Sequence, residues 1–383
     1  MSQHHFSARY LRANRFVLCV ALVFFASATA PCLTFAQAAA APPANSTSSA
    51  SEHARAIAKE WLARGIPGFS VTVMRDGKIV YSEGFGYADV EERVPARPVT
   101  KFRIGSVSKP LTAVALVKLV EQGKLDLDAP IQKYVPSFPD KGAVITPRLL
   151  AGHLAGIRHY KDDEFLIQKH YATVLDGLAI FKDDPLVSPP GTKFNYSSYG
   201  FNLLSAAIEN ACGKDFLACI HELVFTPLGL RSTTEDQPAE IIEQRSRFYD
   251  HPKDKPLQNA PYVDNSYKWA GGGFLSSTED LVRFGNALLE PGYLKKESLA
   301  LLFTPQKTKS GEESPYAVGW FIGKSESGKR MFQHAGGSVG GTSQLILYPD
   351  QHLVIAMICN YSTEGESWKF EEVQSIAEAF ENK

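Results

Sequence analysis

Apolar residues recur along this chain with two periods, and the points where the period changes divide it into elements. Ala54, Ile57, Ala58, Trp61 and Leu62 share one helical face until Gly65 and Pro67 end the run. Phe69–Met74 then alternates, Asp76-Gly77 supplies a type I′ turn, and Lys78–Ser82 returns, which predicts a β-hairpin. Residues 107–122 predict an apolar helix stopped at Gly123, and 201–211 with 215–225 a helix pair broken at Gly213. A further helix begins at Thr278, with Ser276, Ser277 and Thr278 available as caps. Strand patterns come back at Tyr316–Ile322, Gln344–Tyr348 and Leu353–Cys359, and Glu366–Phe380 is amphipathic and helical. The expected fold is therefore α+β. One antiparallel sheet built from both chain ends is flanked by helices, the middle of the chain forms a helical lobe, and a cleft lies between them.

The first 38 residues do not fit this pattern. Arg9, Arg12 and Arg15 precede the apolar run Phe16–Ala30, and Ala36-Gln37-Ala38 offers a small-residue cleavage site. That order predicts a signal peptide over 1–38, a flexible Ala/Pro/Ser/Thr linker over 39–50, and one domain over 51–383. The apolar run falls short of the roughly 20 residues a bilayer span needs, so no stable membrane insertion is expected after cleavage. Export is expected, to a bacterial periplasm or the medium. Cleavage removes three Arg and no acid, which takes the formal charge from −1 to −4.

Composition narrows the function. The chain is 44% hydrophobic and 21% charged, which fits a well-cored globular protein. Its 40 basic residues face 41 acidic ones, so the basic excess that nucleic-acid binding requires is missing. Cys212, Cys219 and Cys359 remain after the leader, and an odd, sparse set favours buried thiols over a Cys212–Cys219 bridge. No His/Cys grouping has metal spacing: His221-Glu222 begins an H-E-x-x-H, but residue 225 is Phe. Neither a metal nor another cofactor is expected.

Ser106-Val107-Ser108-Lys109 is an S-x-x-K. On a helix, i and i+3 share a face, so the Lys109 amine reaches the Ser106 hydroxyl. Pro110 belongs in a first helical turn, which puts Ser106 at a helix start, where free N–H groups can stabilise an oxyanion. Tyr196-Ser197-Ser198 lies in a turn ahead of a helix, and His334-Ala335-Gly336-Gly337 precedes a Gly-rich strand pattern. Gly336–Gly340 also spells G-x-S-x-G, but that elbow needs a helix after Ser338, and a strand pattern follows instead.

In chain order, S-x-x-K, a Tyr motif and H-x-G resemble the penicillin-recognising serine hydrolases. The stretches Ile157–Tyr160, Arg247–Tyr249 and above all Pro261–Ser276 are similar to the serine β-lactamase-like branch of that family, which stands with class C β-lactamases, D-alanyl-D-alanine peptidases and esterases. The resemblance implies that Ser106 is the acylating nucleophile, Lys109 its base and Tyr196 a proton relay. It places His334 where the family's K-T-G lysine stands, and it makes the oxyanion hole from the N–H groups of Ser106 and Gly337. Ser198 and Gly336 would bind substrate, with Ser198 where the family more often has Asn. Tyr267, Lys268 and Trp269 read equally as cleft lining or as a loop packed on the Gly271–Gly273 turn. His159 and Tyr160 would sit at the rim.

The function implied is a secreted serine hydrolase acting through a Ser106 acyl-enzyme on a peptide amide, an ester or a cell-wall-derived substrate. Peptidase-like activity with weak or no β-lactamase activity is expected. The alternatives are a class C-type β-lactamase, and a cell-wall peptide sensor or scaffold with slow or no turnover. Self-assembly is left open by the sequence.

Overall fold

The computed structural model describes residues 46–251, 255–362 and 368–381. The leader over 1–38 and the first part of the linker lie outside the described residues. Helix α1 spans Ser46–Ala63 and so begins within the stretch read as linker. The reason is packing: Ala50, Ala54, Ala58 and Trp61 continue one buried face through that stretch.

The large sheet combines β1 (Gly68–Arg75), β2 (Lys78–Asp89) and β3 (Val94–Pro95) with four late strands: β4 (Phe321–Lys324), β5 (Arg330–Ser338), β6 (Gly341–Tyr348) and β7 (Leu353–Cys359). Their order is β3-β2-β1-β7-β6-β5-β4, and every neighbouring pair is antiparallel. The expected sheet from both chain ends is thus present, joined where Val71 faces Met357. At the β1–β2 turn Asp76 and Gly77 both take positive φ, 49° and 72°, as a type I′ turn requires.

Both faces of the sheet are covered, which explains why Leu353–Cys359 is apolar without interruption. Leu353, Ile355, Met357 and Cys359 meet Trp61 of α1 and Val373 and Ile376 of the last helix, Phe370–Ala379. Val354, Ala356 and Ile358 point the other way, into the larger core with Leu281 and Phe284. Helix α2 (Ser108–Glu121) runs through that core with buried residues all round it. From Phe102 to Val117 every residue is buried except Ser106.

Two expectations need correction. Strand β5 was legible only as a Gly-rich approach to a strand, although it pairs with β6 from Phe332 to Ser338. Cys212 and Cys219 are joined as a disulfide, not buried as separate thiols, while Cys359 is free and buried. Helix α3 (Ser198–Cys212) ends on Gly213 in the left-handed region, and the reversal brings the two Cα atoms to 6.3 Å.

Candidate active site

Ser106 sits in a single 3₁₀ turn, Gly105–Val107, that runs directly into α2. Its N–H therefore lies in a first turn, where amides have no intrahelical partner. Gly105 takes φ +49°, and a Cβ there would stand 2.5 Å from Gly337 O and 2.8 Å from Gly337 N. Only glycine lets the Ser106 turn approach strand β5 this closely. Gly336 has the same constraint, since a Cβ on it would meet Ile104 O at 2.0 Å. It serves backbone packing between strand and turn. Gly337 alternates with it and faces open space, beside Ser106.

Lys109 is fully buried, and its Nζ has three neighbours. They are Ser106 Oγ at 2.9 Å, Ser198 Oγ at 3.1 Å and Gly271 O at 2.6 Å. Burial first, and the nearby charge of Lys268 second, push the amine well below the ordinary lysine range. A neutral amine has two hydrogens and one lone pair. The Gly271 carbonyl can only accept, so it takes one hydrogen. With the other hydrogen on Ser198 Oγ, the lone pair is left for the Ser106 hydroxyl. Ser198 itself is buried, and its hydroxyl lies on Lys109. Tyr160 also bonds it.

Tyr196 completes the group around Ser106. Its hydroxyl bonds Ser106, and the Lys109 ammonium position lies 4.9 Å from its ring centroid. Burial raises its phenol above the usual range despite that bond, so the group is a neutral O–H donor at neutral pH. Ser197, next along, caps α3 by accepting from the Gly200 N–H.

His334 lies on β5, is buried, and touches neither Ser106 nor Lys109 by hydrogen bond among the described residues. Its Nδ1 is 2.6 Å from Ala335 O and its Nε2 is 2.9 Å from the Tyr316 hydroxyl. A carbonyl only accepts, so Nδ1 carries the proton and Nε2 accepts from Tyr316. Burial, followed by the Lys109 charge, holds this imidazole down to about 3. The position that carries a lysine in the family pattern is uncharged here.

Several site residues escaped the sequence reading. The Gly271 carbonyl holds Lys109 but has no side-chain signature. His153 packs its ring at a tilt against Tyr196, 4.3 Å between centroids, and Tyr316, 4.5 Å, and accepts from the Ser197 N–H at 3.1 Å. His159, expected at the rim, is exposed there and accepts from the Ser198 N–H at 3.1 Å. Lys268 and Tyr267 do line this region, the side chain of Lys268 being buried against aromatic rings. The G-x-S-x-G stretch, by contrast, ends a strand and enters a hairpin at Gly340, with strand β6 following, so Ser338 is on no elbow.

Comparison with known proteins identifies the family and the fold. The family model described as Beta-lactamase matches residues 53–376. The human serine beta-lactamase-like protein LACTB, mitochondrial, is 35% identical across 79% of this chain and 74% of its own length. Penicillin-binding protein 4* of Bacillus subtilis is 28% identical across 78% of this chain and 69% of its own. Among solved structures, the octameric penicillin-binding protein homologue from Pyrococcus abyssi superposes with a TM-score of 0.74 at 28% identity, over 86% of this chain and 76% of that one. The D-amino acid amidase from Ochrobactrum anthropi gives 0.76 at 23% identity, over 88% of this chain and all of that one, a likeness of fold.

These matches correct the expected export to a periplasm, because the human, mouse and bovine relatives at 34–35% identity are mitochondrial proteins. The leader misled because it combines arginines with no acidic residue, and organelle-targeting segments share that composition. Among the described residues no helix is long and apolar enough to cross a membrane.

Proposed function

Because the chain belongs to the beta-lactamase family of serine hydrolases, we propose that it cleaves amides or esters through an acyl-enzyme on Ser106. The observation that carries this reading is the fully buried Lys109 amine, 2.9 Å from Ser106 Oγ and held well below the ordinary lysine range by that burial. Lys109 Nζ takes the hydroxyl proton as Oγ bonds the acyl carbon, and negative charge collects on the former carbonyl oxygen. The N–H groups of Ser106 and Gly337 receive it. Tyr196, a neutral donor already bonded to Ser106, passes a proton to the departing amine or alcohol as that bond breaks, and is reprotonated with the proton that Lys109 took from Ser106. Water then reverses the sequence on the ester and frees Ser106.

The same geometry supports peptidase or esterase activity over β-lactamase activity. His334 supplies no charge for a substrate carboxylate at the K-T-G position. Ser198 has its oxygen committed to Lys109 and its hydroxyl shared with Tyr160, so it grips a substrate amide poorly.

The test is active-site labelling with a fluorophosphonate, located by mass spectrometry, alongside kcat/KM for nitrocefin, a p-nitrophenyl ester and peptide amides. Ser106→Ala should abolish the adduct and Ser338→Ala should not. An adduct that survives the first change and is lost with the second refutes the nucleophile. Nitrocefin turnover above both other classes at every pH from 5.5 to 8 refutes the specificity.

A further inference from the structure

Lys268 is a second amine beside the catalytic group, and the reaction as described does not use it. It ends a 3₁₀ turn, Ser266–Lys268, three residues before the carbonyl that holds Lys109. The side chain is 2% exposed. Its Nζ lies 4.2 Å from the ring centroid of Phe165, 5.3 Å from that of Tyr267 and 5.7 Å from that of Tyr160. Phe165 and Tyr160 are only half-buried, and the neighbouring His159 is exposed, so the rings that cover the ammonium reach the surface.

What the ammonium lacks is an acceptor. Among the described residues no carboxylate, carbonyl or hydroxyl bonds it. The nearby acids are taken: Glu164 by Arg158 at 2.7 Å and Tyr199 at 2.9 Å, and Asp236 by Arg103 at 2.6 Å and Asn265 at 2.9 Å. Ring faces compensate a buried cation only in part. Its charged and titratable surroundings are Lys109, His159, Tyr160, Tyr267, Arg103 and Asp236. Of the acids in the region, Asp236 already neutralises Arg103 and Glu164 already neutralises Arg158.

We propose that Lys268 is the anion receptor of the cleft and selects amide or ester substrates bearing a carboxylate on the part that lies against Tyr160 and Phe165. This rests on the acyl-enzyme reading above and adds the substrate's charge to it. A carboxylate there completes the missing ion pair and excludes water from it. Burial, then Arg103, bring the Lys268 amine down to about 7. The receptor is therefore charged below pH 7 and loses its charge above it. Lys109 must be neutral for every substrate, so its own titration cancels from a ratio of two substrates.

The experiment compares kcat/KM for N-succinyl-alanine and N-acetyl-alanine p-nitroanilides from pH 6 to 8.5, for wild type and Lys268→Met. The wild type should prefer the succinyl compound about 10–100-fold at pH 6, the range of one charge-assisted bond, with the preference falling toward unity above pH 7. In Lys268→Met the ratio should be near one throughout. A wild-type ratio near one at pH 6 overturns the proposal and needs no variant to fold. So does a ratio preserved in Lys268→Met, or loss of both activities by one factor, which would make Lys268 an electrostatic partner of Lys109 alone. Calorimetry of both compounds on Ser106→Ala and Ser106→Ala/Lys268→Met reads the receptor without turnover. Discrimination there, with no adduct on wild-type Ser106, would refute the nucleophile and leave the receptor standing.

Discussion

At the scale of single residues, burial around Ser106 disfavours the charged forms of His153, His334 and Lys109. His153 and His334 are 2% and 1% exposed, and burial drives both imidazoles down, His334 to about 3. In the unfolded chain each takes a proton near pH 6.5. Between that value and the folded one the unfolded state binds more protons, so stability falls as pH falls. The loss approaches about 1.4 kcal/mol per pH unit for each histidine, or about 3 for the pair. Urea unfolding from pH 7 to 5 should show that slope, and histidine NMR should show His334 unprotonated at pH 5. Titration of that resonance near 6.5 would remove the argument. Lys109 acts in the same direction at higher pH, since it is neutral when folded and charged when unfolded. S-x-x-K was legible because three residues of helix bring Ser106 and Lys109 together. The Gly271 carbonyl was not, because a backbone acceptor carries no residue identity.

At the scale of elements, glycines set how closely the Ser106 turn and strand β5 approach. Gly105→Ala adds a Cβ at positive φ against the Gly337 backbone and should move one oxyanion donor. A loss of about 10²–10³ in acylation rate is expected, with circular dichroism unchanged. Stopped-flow acylation by a p-nitrophenyl ester measures it, and a rate within threefold of wild type would detach Gly337 from the reaction. The Cys212–Cys219 bridge closes a short loop between α3 and the next helix, Phe216–Ile220. Chain entropy gives it about 2.5 kcal/mol. Reduction should lower the unfolding free energy by about that much without loss of Ser106 labelling. Helices and the first hairpin were readable from period and caps, and Leu353–Cys359 from its length and apolar run. Strand β5 was not, because Ala335-Gly336-Gly337 has weak strand propensity, and its glycines answer to the close approach of Ile104 and Gly105, far back in the chain.

At the scale of the whole molecule, the sheet is closed by its last long strand. β7 lies between β1 and β6, and the final helix covers it, with Glu372 accepting from Trp61 at 2.7 Å and paired with Arg64. Removing residues 353–383 should therefore unfold the whole domain. Proton–deuterium exchange on the truncated chain should find no protected β1 amides, and a folded remnant would contradict this reading. The feature also has a meaning in time. Roughly 280 residues separate Arg75 from Leu353, and synthesis at about 5–20 residues per second spends about 14–60 s on them. Throughout that interval the β1 edge has no strand to accept its hydrogen bonds, and Phe69, Val71 and Val73 have no β7 beside them. The nascent chain therefore keeps an unpaired apolar edge until its last long strand emerges. Strand β6, which holds β5 beside the serine, likewise waits for β7, so a ribosome-bound chain carries Ser106 long before it has an enzyme.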